Sequence, residues 1–294
     1  FERQGELDKA HGYAQRMVQQ DELGEAGNQY VMRLLTMLDR REDAMAQYAS
    51  FHHALAVQMG AEPGVDAKTL YQRIRNEQAG EESGNIPASL TPFIGRSQEL
   101  DDLWGLLRNP TSRLICVLGP GGSGKTRLAL EAARKQRYYF KDGVYFVPLS
   151  ALGAGGSLLS AIAEGLGFTF REVGVPKRQL LDYLRHKKIL LILDSFETVV
   201  EQAGLVAEIL AASEGSKALV TTRQKLNLSG EYVYPLEGMR VPPPEAKGQE
   251  LGYSSVALFL EAAHRVKPGY IPESAEDVAS LCRLVEGMPL SLLL

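Results

Sequence analysis

The stretch Gly119-Pro-Gly-Gly-Ser-Gly124-Lys125-Thr126 decides the fold of this chain. It fits the P-loop pattern G-x-x-x-x-G-K-[ST], directly follows an apolar run, and opens a helical segment, Leu128–Ala133. Glycines let backbone N–H groups converge on phosphate oxygens at the positive end of a helix. The sequence therefore predicts an ATP or ADP site rather than a structural turn. Its cradle comprises Gly119, Gly121, Gly122, Ser123 and Gly124.

The last two motif residues are expected to contact phosphate and a metal ion. Lys125 would reach the β- and γ-phosphates, and the Thr126 hydroxyl would ligate Mg²⁺. The second expected metal ligand is Asp194, which follows the apolar run 190–193. The alternative is that Asp194 caps the helix that follows it.

Two further charged residues follow predicted strands. Arg223 follows Thr221-Thr222 and is expected to contact the γ-phosphate, distinguishing ATP from ADP, unless it is an ordinary surface charge. Hydrolysis also needs a group that orients water. Ser195 is a poor base, so Glu197 is the candidate catalytic residue, with a solvated helix position as the alternative.

The middle of the chain alternates short apolar runs with helical segments. Several runs are apolar throughout, which is typical of strands buried on both faces of a parallel sheet. The pattern predicts an α/β P-loop NTPase core with a doubly wound parallel sheet over residues 93–240. The predicted strands are Arg113–Leu118, Val144–Leu149, Lys188–Leu193, Ala218–Thr222 and Glu231–Tyr234.

The flanking regions are predicted to be helical. Residues 1–79 form an all-α domain in which Asp8-Lys9-Ala10 recurs as Glu42-Asp43-Ala44, 34 positions later, the period of tetratricopeptide (TPR) repeats. An ordinary helical bundle is the alternative. Residues 80–92 are a linker rich in Gly, Glu, Ser and Pro. The triple proline at 242–244 marks the start of a small helical subdomain over residues 241–294.

Composition narrows the possible partners. The 294 residues carry a net charge of −4, which argues against a broad nucleic-acid-binding surface. The apolar runs are far shorter than the roughly 20 residues that span a bilayer, so no membrane association is expected. Cys116 and Cys282 lie in apolar stretches and are expected to be buried thiols of a cytoplasmic protein.

The motifs resemble, in order and spacing, those of NB-ARC nucleotide switches, which are signal-transduction ATPases with numerous domains (STAND) related to the AAA+ group. The resemblance runs from Thr91 to Leu294. It also includes Phe93-Ile94-Gly95-Arg96, Leu193-Asp194-Ser195-Phe196-Glu197 and Gly287-Met288-Pro289-Leu290. The N-terminal helices, with Ala44-Met-Ala-Gln-Tyr48 and Gly60-Ala-Glu-Pro63, resemble the bacterial transcriptional activation domain of SARP-type regulators.

The resemblance implies further nucleotide contacts. Ile94, Gly95 and Arg96 would lie along the adenine and ribose, and Arg127 would lie next to the motif. Pro289, in an ARC1-like subdomain, would pack on the nucleotide from the far side. Ser195 stands where many of these proteins have a second Asp, so hydrolysis is expected to be slow at most.

The functional hypothesis is an ATP/ADP switch in signal transduction, whose state controls transcription. DNA would be bound by a domain outside this chain, and the ATP state would favour self-association or contact with RNA polymerase. The alternative is a catalytic AAA-like motor or remodeller, which needs efficient hydrolysis and an arginine finger from a neighbour.

Overall fold

The N-terminal region consists of four helices packed around one core. A computed structural model describes residues 4–38, 40–78, 84–152, 155–171, 174–246 and 248–294. The N-terminal helices are α1 (Gln4–Gln20), α2 (Glu25–Met37), α3 (Arg41–Met59) and α4 (Val65–Gln78). Helix α3 ends at Gly60, whose φ of 60° lies in the left-handed region that favours glycine at helix ends.

The core of these helices combines alanines, larger aliphatic residues and a few aromatic residues. Ala10 and Ala44 are both buried there, so positions separated by 34 residues occupy comparable environments. Tyr48 of α3 stacks on Tyr71 of α4 with ring centroids 4.3 Å apart. The structure thus confirms helices for the described part of this region, while the assignment to a TPR-like repeat stays a prediction.

The nucleotide-binding region contains a five-stranded parallel sheet. Its strands are β1 (Leu114–Leu118), β2 (Val144–Pro148), β3 (Leu190–Asp194), β4 (Lys217–Thr222) and β5 (Glu231–Pro235). Their spatial order is β2-β3-β4-β1-β5, and every neighbouring pair is parallel. Each of the five predicted strands is present, with ends shifted by no more than two residues.

Helices cover both faces of this sheet. On one face, Leu190 and Ile192 pack toward α5 (Ser97–Arg108) and α6 (Lys125–Gln136). On the other, Leu191 and Leu193 pack toward α7 (Leu158–Gly165), α8 (Pro176–Leu184) and α9 (Gly204–Ala212). Successive strand residues point to opposite faces, which is why an uninterrupted apolar run suits both layers. The doubly wound arrangement is confirmed.

Among the described residues after the triple proline there are three α-helices. They are α10 (Ser254–Val266), α11 (Ala275–Leu284) and α12 (Pro289–Leu293). Val256, Val278 and Cys282 form their small core together with Met239, which precedes the prolines. The helical prediction is confirmed for this segment, and its status as an ARC1-like subdomain stays a prediction.

The cysteines and the lengths of the helices bear on the expectations drawn from composition. Cys116 and Cys282 are buried free thiols, as predicted, and burial raises the pKa of both. Within the described ranges, the helices are too short or too polar to cross a bilayer.

Candidate nucleotide-binding site

The P-loop connects the end of β1 to the first residue of α6. Gly122 and Gly124 have φ values of 80° and 89°, a conformation that L-residues rarely adopt. Gly119 needs to be glycine for a different reason, because a Cβ there would lie 2.2 Å from the carbonyl oxygen of Leu236. Ser123 is fully buried beneath the loop. The loop thus has the strand-to-helix context that the sequence predicted.

Lys125 begins α6 and is held against the loop. Its Nζ donates to the carbonyl oxygens of Gly119 at 2.9 Å and Pro120 at 2.8 Å. Burial is the main cause of a lowered pKa for this amine, and the positive charge of Arg223 adds to the effect. The carboxylates of Glu197 and Asp194 act in the opposite sense. The amine of Lys125 is therefore partly desolvated, and an anion bound in the loop could replace the two carbonyl oxygens as its hydrogen-bond acceptors.

Thr126 and Asp194 meet at the carboxyl end of β3, as expected for a metal site. Thr126 Oγ1 donates to Asp194 Oδ1 at 2.6 Å, and Thr221 Oγ1 donates to the same oxygen at 2.6 Å. The carboxylate is buried, which fits a charge held by two hydroxyls. Mg²⁺ takes one or two carboxylates together with phosphate oxygens and waters. Thr126 and Asp194 could therefore hold Mg²⁺ together with a bound nucleotide.

Thr221 is a site residue that the sequence analysis did not single out. It follows the last residue pair between β3 and β4, in which Leu193 lies beside Val220. The next residues along the two strands are therefore Asp194 and Thr221. Thr221 Oγ1 also accepts a hydrogen bond from the backbone N–H of Ser195 at 2.9 Å, where the chain turns with a φ of 60°. The adjacency of the two strands would have been needed to find it.

Arg223 and Glu197 form an ion pair beside the P-loop. Arg223 Nε lies 3.1 Å from Glu197 Oε1. The guanidinium also covers Gly121, where a Cβ would be 3.1 Å from Nη2. The second oxygen of Glu197, Oε2, is buried without a hydrogen-bond partner among the described residues. The structure thus brings both predicted residues to the loop and pairs them with each other.

Arg96 supports the loop from behind. It adopts a φ of 61°, and its buried guanidinium donates to the carbonyl oxygens of Ser123 at 3.1 Å and Glu237 at 2.6 Å. It also pairs with Glu99 at 2.8 Å. Its side chain therefore ties the P-loop to the segment after β5, a role that the resemblance did not suggest. Its contact with ribose stays a prediction.

The neighbours of Arg96 face the C-terminal helices. Ile94 packs at the edge of the small core that contains Met239 and Val256. Gly95 has a φ of 68°, and a Cβ there would lie 2.5 Å from the Cβ of Ser254, the first residue of α10. Close approach of two chain segments thus requires glycine at this position. Contacts of Ile94 and Gly95 with adenine stay predictions.

Helix α12 lies directly on the P-loop. The backbone N–H of Leu290 donates to the carbonyl oxygen of Gly122 at 3.2 Å. Pro289 Cγ lies 3.7 Å from the position that a Cβ of Gly124 would occupy. The structure therefore places Pro289 beside the motif, although the two are 165 positions apart in the sequence. Packing of Pro289 on the far side of a nucleotide stays a prediction.

Arg127 has its side chain turned away from the loop. Its Nη2 donates to the carbonyl oxygens of Thr91 at 3.1 Å and Pro92 at 3.0 Å, which fixes the segment before α5. The guanidinium is thus occupied by this segment. The prediction that Arg127 binds the nucleotide stays untested.

Replacing Asp194 with asparagine is expected to remove most of the Mg²⁺ dependence of ATP binding. The amide keeps an oxygen that accepts from Thr126 and Thr221, but it loses the charge that a metal ion needs. Because even outer partners of metal sites change metal affinity by about 10–100-fold, we expect ATP to bind about tenfold more weakly in Mg²⁺ and equally well in EDTA. Fluorescent-nucleotide titrations in both buffers measure this difference.

The matched control for this change is Asp182→Asn, on the exposed part of α8. It should leave both affinities unaltered. If Asp194→Asn retained the full Mg²⁺ dependence of the unmodified chain, Asp194 would not be a metal ligand.

Comparison with known protein families gives two separate matches, one to the nucleotide-binding region and one to the N-terminal region. The sequence model of the NB-ARC domain family matches residues 96–241. The model of the bacterial transcriptional activator domain matches residues 2–75. The first match contains the P-loop, Asp194 and Arg223, and the second contains most of the N-terminal helices.

Individual relatives are larger proteins. Regulatory protein AfsR of Streptomyces griseus is 28% identical over 291 residues, covering 88% of this chain and 28% of the relative. A putative HTH-type transcriptional regulator of Mycobacterium tuberculosis (strain H37Rv) is 30% identical over 188 residues, covering 62% of this chain and 20% of the relative. The chain thus spans less than a third of either relative.

A solved structure of a STAND protein with a tetratricopeptide repeat sensor from Pyrococcus horikoshii is also similar. It aligns with a TM-score of 0.44 and 19% identity, covering 72% of this chain and 30% of that protein. The two family models account for the P-loop core and for the helices that precede it. The chain therefore contains a domain of the NB-ARC family, preceded by a bacterial transcriptional activator domain.

Proposed function

We propose that this chain is the ATP/ADP switch of a transcriptional regulator. Exchange of the nucleotide would change how α12 is held on the P-loop, and the change would reach the N-terminal helices. Similarity to AfsR and to a putative HTH-type regulator supports a role in transcription. DNA would be bound by a domain outside this chain, and the ATP state would promote self-association or contact with RNA polymerase.

The contact between Leu290 and Gly122 carries this proposal. A P-loop holds the phosphates that differ between ATP and ADP, and here α12 hydrogen-bonds to the loop itself. A nucleotide therefore cannot enter without meeting the C-terminal helices. A ligand shifts a conformational equilibrium only through unequal affinity for the two states. We propose that the contact of α12 with the P-loop is the source of this difference.

The ion pair between Arg223 and Glu197 supplies a second difference between the nucleotides. Without a γ-phosphate, Arg223 has the carboxylate of Glu197 as its partner. With ATP bound, we propose that the guanidinium turns to the γ-phosphate, which carries more charge and offers more acceptors. Glu197 would then be released, so the ion pair would report which nucleotide is present.

The contacts made only by ATP can supply the free-energy difference that the switch requires. About 5.5 kcal/mol of differential binding moves a two-state population from 1:99 to 99:1. Hydrogen bonds to charged groups contribute about 1.5–3 kcal/mol each, so two or three contacts made by ATP alone suffice. Thr126 and Asp194 would hold Mg²⁺, which would add to the difference by offsetting the extra negative charge of ATP.

Hydrolysis is proposed to be slow at most. In this structure the candidate base, Glu197, is paired with Arg223, so it becomes available only after Arg223 has moved to the γ-phosphate. Ser195 turns the chain and offers no carboxylate at its position. A slow reaction suits a switch, because the signalling state then lasts as long as ATP remains bound. The same arrangement disfavours the catalytic motor.

Hydrogen exchange of the C-terminal peptide tests the switch. We expect amides in residues 285–294 to exchange about tenfold faster with a non-hydrolysable ATP analogue than with ADP, because loss of the Gly122 contact lowers the free energy of local opening. Peptides from β1 and β3 serve as internal controls and should exchange equally in both states. Identical exchange of residues 285–294 with the two nucleotides would contradict the proposal.

A pair of variants on α12 sharpens this experiment. Leu290 packs against Gly122, where a Cβ would lie 2.9 Å from the Cβ of Leu290, whereas the atoms nearest to the Cβ positions of the loop glycines include none of Leu293. Leu290→Ala should therefore speed exchange of the C-terminal peptide in the ADP state. Leu293→Ala, the matched control, should leave the ADP state slow.

A further inference from the structure

A cavity of about 80 Å³ lies between the N-terminal helices and the nucleotide-binding region. It is lined by Arg33, Asp66, Leu70, Arg73, Tyr139, Lys141 and Lys188. Lys188 lies just before β3, whereas Asp194 ends that strand. At roughly 3.3 Å per residue, the cavity and the metal-binding end of the nucleotide site are about 20 Å apart, at opposite ends of one strand.

The lining of this cavity is strongly positive. Four of its seven residues are cationic and one, Asp66, is acidic, although the chain as a whole has a net charge of −4. Arg33 and Arg73 come from α2 and α4, while Lys141 and Lys188 come from the segments before β2 and β3. Lys141 Nζ lies 3.5 Å from Asp66 Oδ1, so the carboxylate offsets part of the charge.

The cationic groups act on one another. Partial desolvation of the amine is the main cause of a lowered pKa for Lys188, and the charges of Arg33, Lys141 and Arg73 lower it further against the opposing effect of Asp66. Burial also lowers the pKa of Arg33. An anion placed between such positive groups reduces their mutual repulsion and stabilises their charged forms.

Two polar atoms in the cavity lack partners among the described residues. Tyr139 Oη and Arg33 Nε are both buried without a hydrogen bond. They belong to one cluster, since the guanidinium carbon of Arg33 lies 5.3 Å from the centroid of the Tyr139 ring. Buried donors in native proteins almost always have an acceptor. An oxyanion supplies acceptors to both.

We propose that this cavity binds a phosphate dianion, either free or as the terminal group of a small phosphorylated molecule. The cavity has room for several water-sized groups and hence for a tetrahedral oxyanion. Arg33 offers a guanidinium fork of the kind that matches phosphate oxygens. The exposed Lys141 and Lys188 form the side open to solvent, where the remainder of a larger molecule would extend.

Binding here links two parts of the chain. The anion would contact side chains from the N-terminal helices and from the nucleotide-binding region together, adding to the hydrogen bond from Arg73 Nη1 to the carbonyl oxygen of Arg137 at 3.1 Å. A ligand that binds the docked arrangement stabilises it by mass action. The cavity is thus a second input, separate from the nucleotide, for the position of the N-terminal helices.

Thermal unfolding of the chain saturated with a non-hydrolysable ATP analogue and Mg²⁺ tests this proposal, because the analogue fills the γ-phosphate position and keeps inorganic phosphate out of the nucleotide site. Added inorganic phosphate should raise Tm in a saturable way, by about 2 °C at ten times its Kd, relative to KCl at equal ionic strength. Glucose 6-phosphate replaces inorganic phosphate in a second series. A larger or tighter response to the ester identifies a phosphorylated small molecule, and an equal or weaker one identifies free phosphate.

Variants decide whether the response comes from this cavity. Arg33→Gln and Lys188→Gln should each weaken the phosphate response at least fivefold. Arg178→Gln, at a side chain 82% exposed on α8, should retain it. Lys188 is exposed, so its variant is expected to fold even if Arg33→Gln does not, and circular dichroism verifies this. An equal response in all three variants, or no response beyond that to KCl, would overturn the proposal.

Discussion

Lys125→Ala is expected to weaken binding of both ATP and ADP at least 100-fold. Lys125 provides a point charge at the loop, and its two present acceptors are backbone carbonyl oxygens that phosphate oxygens would replace. Hydrogen bonds to charged groups contribute about 1.5–3 kcal/mol each, and two of them correspond to a factor of 100 or more in affinity. Titration of a fluorescent ADP and a fluorescent ATP analogue measures the loss.

Lys9→Ala is the matched control for this substitution, because Lys9 is an exposed lysine on α1. It should bind both nucleotides as the unmodified chain does. Far-UV circular dichroism should show that Lys125→Ala keeps its helices, since the residue begins α6 without filling the core. Unchanged affinity of a folded Lys125→Ala chain would refute the assignment of residues 119–126 as the nucleotide site.

The sequence predicted those parts of the site whose functional residues lie next to each other along the chain. The P-loop is eight consecutive residues, and its strand and helix are adjacent in the chain. The apolar run before Asp194 predicted a buried strand because both faces of that strand are covered. The strand ends one residue later than predicted, because Asp194 is still extended and the chain turns at Ser195.

The parts that sequence reasoning missed depend on contacts between distant segments. Arg96 joins Ser123 to Glu237, which lies 141 positions from it. Thr221 reaches Asp194 because β3 and β4 are neighbours in the sheet. The order of strands in a parallel sheet is not written in their order along the chain, since each crossover can pass over one or more strands. In the motif Thr221-Thr222-Arg223, sequence reasoning could therefore assign a role to the arginine but not to Thr221.

The same limit applies to the cavity between the N-terminal helices and the sheet. Arg33, Arg73, Lys141 and Lys188 are scattered over more than 150 positions, and none belongs to a recognisable motif. Composition gave an acidic chain, which argued against a broad basic surface. It did not reveal a small cluster of opposite sign, because net charge averages over the whole molecule.

Arg223→Ala is expected to weaken ATP binding about 10–100-fold while changing ADP binding less than twofold. The guanidinium lies over Gly121 and has Glu197 as its present partner. ATP offers it a γ-phosphate and ADP does not, so the lost charge-assisted hydrogen bonds, about 1.5–3 kcal/mol, belong to ATP alone. Removing Arg223 also takes away a positive charge that lowers the pKa of Lys125, which favours the charged amine equally for both nucleotides.

Competition titrations with unlabelled ATP and ADP in Mg²⁺ give the ratio of the two affinities directly. Arg178→Ala, at the exposed arginine of α8, should keep the ratio of the unmodified chain. Because the ratio cancels any general loss of folded protein, it separates a sensing role from a structural one. Equal losses for ATP and ADP would remove Arg223 from the sensor role and leave the contact of α12 with the P-loop as the element that distinguishes the two nucleotides.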